Sequence, residues 1–438
     1  VNPYRRLAVT AAVAFASVGA AVALVATAPQ DAEPLAAQTP TSPGAAWTLD
    51  ATDVLGNPFA TFDDPVGGRF GEVEGGVIDA DDILVARAGL INQETDEFEQ
   101  SQLIGFDAAT GQVRWKTPSD GIESCSSHVL DTLLLCRSTD QIVTIDSATG
   151  TATRYDTDWN IFSVGTDGED LYVVEGEKDG YTVRIHRGTI DDPDASWSLT
   201  LDDTWVDPYN SREILAFAGN AGVARFSSGT ALFDARSGDI TDNISSPDCA
   251  RDQFDRGDQI YVLAGRRCSD LFEFRTDLVD STGRVVATTD EEIYQRTTVD
   301  AANDPDDPVV LGSSAFDPTT GQKLWTSDDA STGGDIAIVG DVVLGVGPLT
   351  RNLFTGEPTW GPDVESLPFM PTAVREGLAY VADSREILVI EPETGARLET
   401  IAIEDLLGNT GGRSERVALL ATDGGVVAVN EKRMNLLG

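Results

Sequence analysis

The chain has 438 residues, 41% of them hydrophobic, a folding composition spread over more length than one ordinary globular core uses. Its 73 acidic residues against 30 basic ones give a formal charge of −43. That excess excludes nucleic acid as a partner, because phosphate binding needs a basic face, and it opposes broad adsorption to anionic lipid.

The first predicted element is a membrane segment. Val1 reads as a GTG start, and residues 1–6, with Arg5 and Arg6, form a short cytoplasmic piece. An unbroken apolar run follows over 7–28 (LAVTAAVAFASVGAAVALVATA). As a helix it spans ~33 Å, enough for a bilayer core. The positive flank keeps the N-terminus cytoplasmic and sends the rest outside. Ala26-Thr27-Ala28 supplies a small-x-small cleavage site, but Pro29 directly after it hinders cleavage, so an uncleaved signal anchor is the favoured reading and a secreted form the alternative. Residues 29–44, rich in Pro, Ala and Thr, read as an extended tether, and 45–438 as the ectodomain.

Four cysteines suit an exported chain. If a hairpin turns at Leu130-Asp131, Cys125 and Cys136 face each other across it; Cys249 and Cys268 flank a longer hairpin turning at Arg256-Gly257-Asp258. Two disulfides are expected, and neither pair has the C-x-x-C spacing of a metal, haem or redox site.

A repeat organises the remainder. GFDAATGQVRW (105–115) and AFDPTTGQKLW (315–325) are its clearest copies, and weaker ones begin at 144, 232, 278, 352 and 389. Its recurring positions are Asp107, Gly111 and Trp115; Asp146 and Gly150; Asp234 and Gly238; Asp317, Gly321 and Trp325; Gly356 and Trp360; and Gly395. A degenerate copy at 181–199 keeps a strand, an acidic turn and a Trp. The Asp accepts hydrogen bonds from turn N–H groups, the Gly takes a positive φ, and the strand that leaves the turn carries the Trp. With an upstream strand pair, each ~40-residue unit reads as four antiparallel strands, with no helical period after residue 30. Such units make a β-propeller. Trp47 reads as a final strand without its turn, and 417–421 with 426–430 as inner strands without a final one, so the two ends are expected to share a closing blade. The punctuation counts nine; eight blades is the favoured number, with seven or nine as alternatives.

The string Ala315-x-Asp317-x-x-Thr320-Gly321-x-x-x-Trp325 resembles the tryptophan-docking repeat of quinoprotein (PQQ-dependent) dehydrogenases. It is similar also to non-catalytic PQQ-like propellers, including the propeller lipoprotein of the outer-membrane barrel-assembly machinery. The resemblance covers about residues 45–430 and implies the fold, since the motif encodes blade packing. The catalytic branch implies an adjacent Cys-Cys pair, a Ca²⁺ set and an Asp base. No two cysteines are adjacent here, and no residues match that set. Scarce Lys, frequent Ala and Val and the GTG start fit a GC-rich, actinobacterial genome, which lacks that Gram-negative machinery.

Other chemistry is not signalled. G-x-S-x-G, H-E-x-x-H and Walker A strings are absent, and the only histidines are His128 and His186. Acidic clusters at 79–82, 191–194 and 303–307 lack EF-hand spacing and read as solvated loops. The expectation is a membrane-anchored, non-catalytic scaffold of the cell envelope, without catalytic, cofactor or metal residues, that holds a protein, peptide or glycan. A PQQ/Ca-dependent dehydrogenase and an extracytoplasmic ligand sensor are the alternatives. Insertions at 91–101 and 202–212 are candidate recognition loops, the second carrying Trp205 and Tyr209.

Overall fold

A computed structural model describes residues 44–67, 76–92, 98–202, 204–207, 214–244, 250–257, 259–265, 276–291, 293, 299–327, 336–345, 350–360, 371–383, 385–408 and 417–437. The segment 7–28, Tyr209, Cys249 and Cys268 lie outside them. Among the described residues no helix is long and apolar enough to cross a membrane.

The strands form nine sheets, so the ring is a nine-bladed propeller and not the expected eight. In chain order the blades occupy 61–118, 124–156, 160–201, 215–244, 250–289, 309–326, 336–352, 373–402 and 418–437. Every weak copy of the repeat builds a sheet of its own, so the full punctuation count was the right one. Blade 9 takes its fourth strand from Ala45–Asp50, antiparallel to Arg433–Leu437. Thr48 Oγ1 donates to Asn435 Oδ1 at 2.6 Å and Arg433 Nε to Asp50 at 3.0 Å, which fastens the two ends of the chain.

Neighbouring residues on one strand point to opposite faces. Both faces of the inner strands are covered, so these read as nearly continuous apolar runs, whereas outer strands such as Ala152–Asp156 and Ala396–Ala402 are largely exposed. On Leu133–Arg137, for example, Leu134 packs toward blade 1 and Leu135 toward blade 3. The core is accordingly divided into nine apolar clusters, one for each junction between blades.

Blade 6 departs from the four-strand expectation. It has three strands, and Val299–Ala301, the chain just before it, runs parallel to Ile336–Val339 of blade 7. Every other strand pair is antiparallel among the described residues. Arg256 of blade 5 holds this stray strand: its guanidinium meets the Asp300 carboxylate at 2.7 and 2.9 Å and donates to the carbonyls of Asp307 and Pro308. Two short helices, Ala51–Leu55 and Ile403–Leu407, sit in connections between blades, where no helical period was expected. Five residues are too few to show one.

The first cysteine pair forms its disulfide, Cys125–Cys136, but not about the expected turn. The turn falls one residue later, because Leu130 pairs with Leu133. A bulge at 126–128 absorbs the difference and returns Cys125 opposite Cys136.

Candidate functional site

The recurring residues are spent on blade packing. Asp107 Oδ1 accepts the N–H of Thr110 at 2.9 Å, Asp146 Oδ1 that of Thr149 at 2.8 Å, and Asp317 Oδ1 that of Thr320 at 2.7 Å. Gly111, Gly150, Gly321 and Gly395 all have φ near +70°. The indole N–H of each docking tryptophan then donates to the next blade, to the carbonyl just after the turn Asp, Glu or Asn. Trp47 reaches Ala108 at 2.8 Å, Trp115 Ser147 at 2.6 Å, and Trp197 Ala235 at 3.2 Å. Trp325 reaches Leu353 and Trp360 reaches Pro392, both at 2.7 Å. The ring lies on the turn glycine: a Cβ on Gly150 would stand 2.6 Å from Trp115, and one on Gly238 2.7 Å from Trp197. Trp47 and Trp197 thus dock as the three residues at the regular spacing do.

The two histidines offer little to a reaction. His186 is 4% exposed, stacks on Trp159 at 4.1 Å, and has Nε2 and Nδ1 each 3.2 Å from a carboxylate, Glu175 and Asp194. Neither nitrogen is left for a substrate. Burial raises the Glu175 carboxyl, but hydrogen bonds from His186 and Arg184 outweigh it and hold it below the ordinary value. His128 is exposed beside Ser127 Oγ.

The expected recognition loops are partly structural. Ile91 and Phe98 are paired strand residues, so the first insertion is the end of a hairpin. Trp205 is half-buried: its backbone N–H donates to Ser228 Oγ at 2.8 Å and its indole to Asp179 O at 2.9 Å, with the ring against Gly180.

The site that sequence reasoning missed is a cleft of about 680 Å³ across blades 3, 4 and 5, on the face that carries the Asp–Gly turns. Asp167, Glu169 and Arg187 line it from blade 3, Asn220, Asp234, Arg236 and Thr241 from blade 4, and Gln259, Ser281 and Thr282 from blade 5. It lies at one of the junctions where the docking tryptophan is missing. Trp follows the turn glycine by four at Trp115, Trp325 and Trp360, but the fourth residue after Gly238 is Asp242. The carbonyl of Ser281, where an indole would donate, accepts instead from Thr241 Oγ1 at 3.0 Å. The apolar cluster between blades 4 and 5 is also the one of the nine without an aromatic ring, among the described residues. A missing indole at +4 marks this junction but does not single it out, since Arg154, Ala287 and Glu399 stand at the same position after other turn glycines.

Some lining charges are already committed. Asp167 Oδ1 accepts the N–H groups of Glu169 and Asp170, and its Oδ2 the hydroxyl of Tyr172 at 2.8 Å. Burial and that carboxylate push the Tyr172 phenol up. Arg187 is bound by Asp170 and donates to Arg236 O at 2.7 Å. The Glu169 carboxylate, Asp234 Oδ2 and the Arg236 guanidinium have no partner among the described residues.

The described residues do not fit a quinone with calcium. The described disulfide joins facing strands inside blade 2, with both cysteines buried, and does not bridge adjacent residues. Among the described residues no three His, Cys, Asp or Glu side chains converge to hold a metal.

No protein-family model matches the chain, and no curated protein does. Among solved structures it is similar to a europium-containing methanol dehydrogenase, with 11% identity, a TM-score of 0.42 and 87% of each chain covered. It is similar also to the dihydro-heme d1 dehydrogenase NirN in complex with DHE, with 12% identity, a TM-score of 0.39, and 78% of this chain and 72% of that one covered.

Proposed function

We propose that this chain is a non-catalytic binding scaffold of the cell envelope, anchored by residues 7–28 with its propeller outside the membrane. The observation that carries the reading is the cleft across blades 3–5, an opening of ligand size on a rigid ring whose repeat residues are occupied in packing. The Cys125–Cys136 disulfide supports an oxidising, extracytoplasmic address. Partners are envelope or membrane proteins, or the peptides and glycans they carry.

The test is photo-crosslinking from the full-length chain in its native envelope. A photoreactive amino acid in place of Gln259 should give a discrete adduct, and one in place of exposed Leu398 on blade 8 should give none. Absence of an adduct at 259, with alcohol oxidation by the purified chain in PQQ and Ca²⁺, would replace the scaffold by a dehydrogenase.

A further inference from the structure

We propose that the cleft across blades 3–5 is the docking site of an extended, basic segment of polypeptide; this deepens the binding reading and rests on it. Four features of the cleft select that ligand class. Its volume of about 680 Å³ suits a few residues of extended chain and not a folded domain. The blade 5 wall, with Gln259, Ser281 and Thr282, is neutral; Ser281 Oγ donates to Gln259 Oε1 and Thr282 Oγ1 to Asp280, which leaves the Gln259 amide N–H groups and the hydroxyl lone pairs to meet a peptide backbone.

The aromatic lining residue, Phe233, is fully buried, so no ring face is offered for a sugar to stack on. Of the lining charged groups left without a partner among the described residues, two are on carboxylates, Glu169 and Oδ2 of Asp234, whose Oδ1 is held in its own turn, against one guanidinium, Arg236. Around them the whole chain carries −43, a field that draws cations in and repels acidic segments.

The fourth residue after Gly238 is Asp242 and not Trp, which supplies a variant to fill the cleft. In Asp242→Trp the indole is expected to lie on Gly283 and close the cleft, as Trp325 lies on Gly356. The probes are a blocked hexapeptide with two lysines and one arginine, its glutamate counterpart, and spermidine. Each is titrated calorimetrically into the full-length chain in detergent at low and high salt.

The basic peptide is expected to bind about tenfold or more tightly than the acidic one, and to weaken as salt screens the carboxylates. Glu169→Gln should weaken it several-fold. Asp242→Trp should abolish binding while its melting temperature holds or rises. Equal binding of the acidic peptide, or basic-peptide binding that survives Asp242→Trp, overturns the proposal. Spermidine binding as tightly as the peptide removes the polypeptide from it. A neutral or acidic partner captured from position 259 sinks this inference and leaves the scaffold; no capture and no peptide binding sinks both.

Discussion

Thr241 Oγ1 donates to the carbonyl of Ser281 at 3.0 Å, and so makes with a hydroxyl the bond that five other junctions make with an indole. Arg284 does the same work between blades 5 and 6, donating to the carbonyls of Pro318 and Thr319 at 2.6 Å. The polar contact survives a loss of the ring, but the volume does not. Thr241→Val keeps the shape and leaves the Ser281 carbonyl without that donor. We expect a loss of about 1 kcal/mol, read by denaturant unfolding. No change would mean that solvent already serves that carbonyl.

The docked indoles carry more. Trp115 lies between Gly105 of its own blade and Gly150 of the next, where an added Cβ would approach to 2.1 and 2.6 Å. Trp115→Ala should cost ~3–5 kcal/mol, as expected for a buried aromatic. Gly150→Ala should also destabilise, since φ is 72° and the methyl meets the ring. Thermal melts of the two single variants and the double test the contact. The double is expected to be less damaging than the sum, because the methyl has nothing to strike once the ring is gone.

Turn acids give the fold a pH dependence of known sign. The Thr149 hydroxyl and N–H hold the Asp146 carboxyl below its ordinary value. A carboxyl depressed in the folded state stabilises above its unfolded pKa, and that contribution fades as pH falls through the folded one. Asp146→Asn keeps the acceptor oxygen, as Asn352 already does in blade 7, where it takes the N–H groups of Phe354 and Thr355 at 3.0 Å. The melting temperature of the parent should exceed that of Asp146→Asn near neutrality, and the gap should narrow below about pH 4. A gap that is constant from pH 7 to 3 would refute the assignment.

Arg256 and Asp300 are a buried pair that no surface argument covers, with side chains 3% and 2% exposed. Arg256→Met takes the guanidinium from a buried carboxylate and loosens the hold on the parallel strand, and should cost ~3–5 kcal/mol. Hydrogen exchange should then rise first at Val299–Ala301, which the pair fastens. Uniform loss of protection around the ring would speak against this local role.

How much of this was legible follows from where the information sits. The Asp–Gly turns repeat along the chain, so the propeller, its closing blade and the Cys125–Cys136 pair could be read from spacing. The integer nine needed weak copies such as 278–289, whose Ala287 stands where a Trp would be, to be given equal weight. The parallel strand was hidden because three residues, Val299-Asp300-Ala301, carry no periodicity, and their partner Arg256 lies 44 residues away from Asp300. The cleft was hidden for a related reason: Arg154, Asp242, Ala287 and Glu399 all stand where a Trp would, so the missing indole does not point to one junction.

The bond between Thr48 and Asn435 spans 387 residues. Its partner strand, Arg433–Leu437, follows blades 1 to 8 in the chain, so those blades can stack in order of synthesis while the first strand waits unpaired. Assembly of the ring therefore has a fixed final event, and a chain stopped early presents an open arc with Trp47 and its strand edge uncovered.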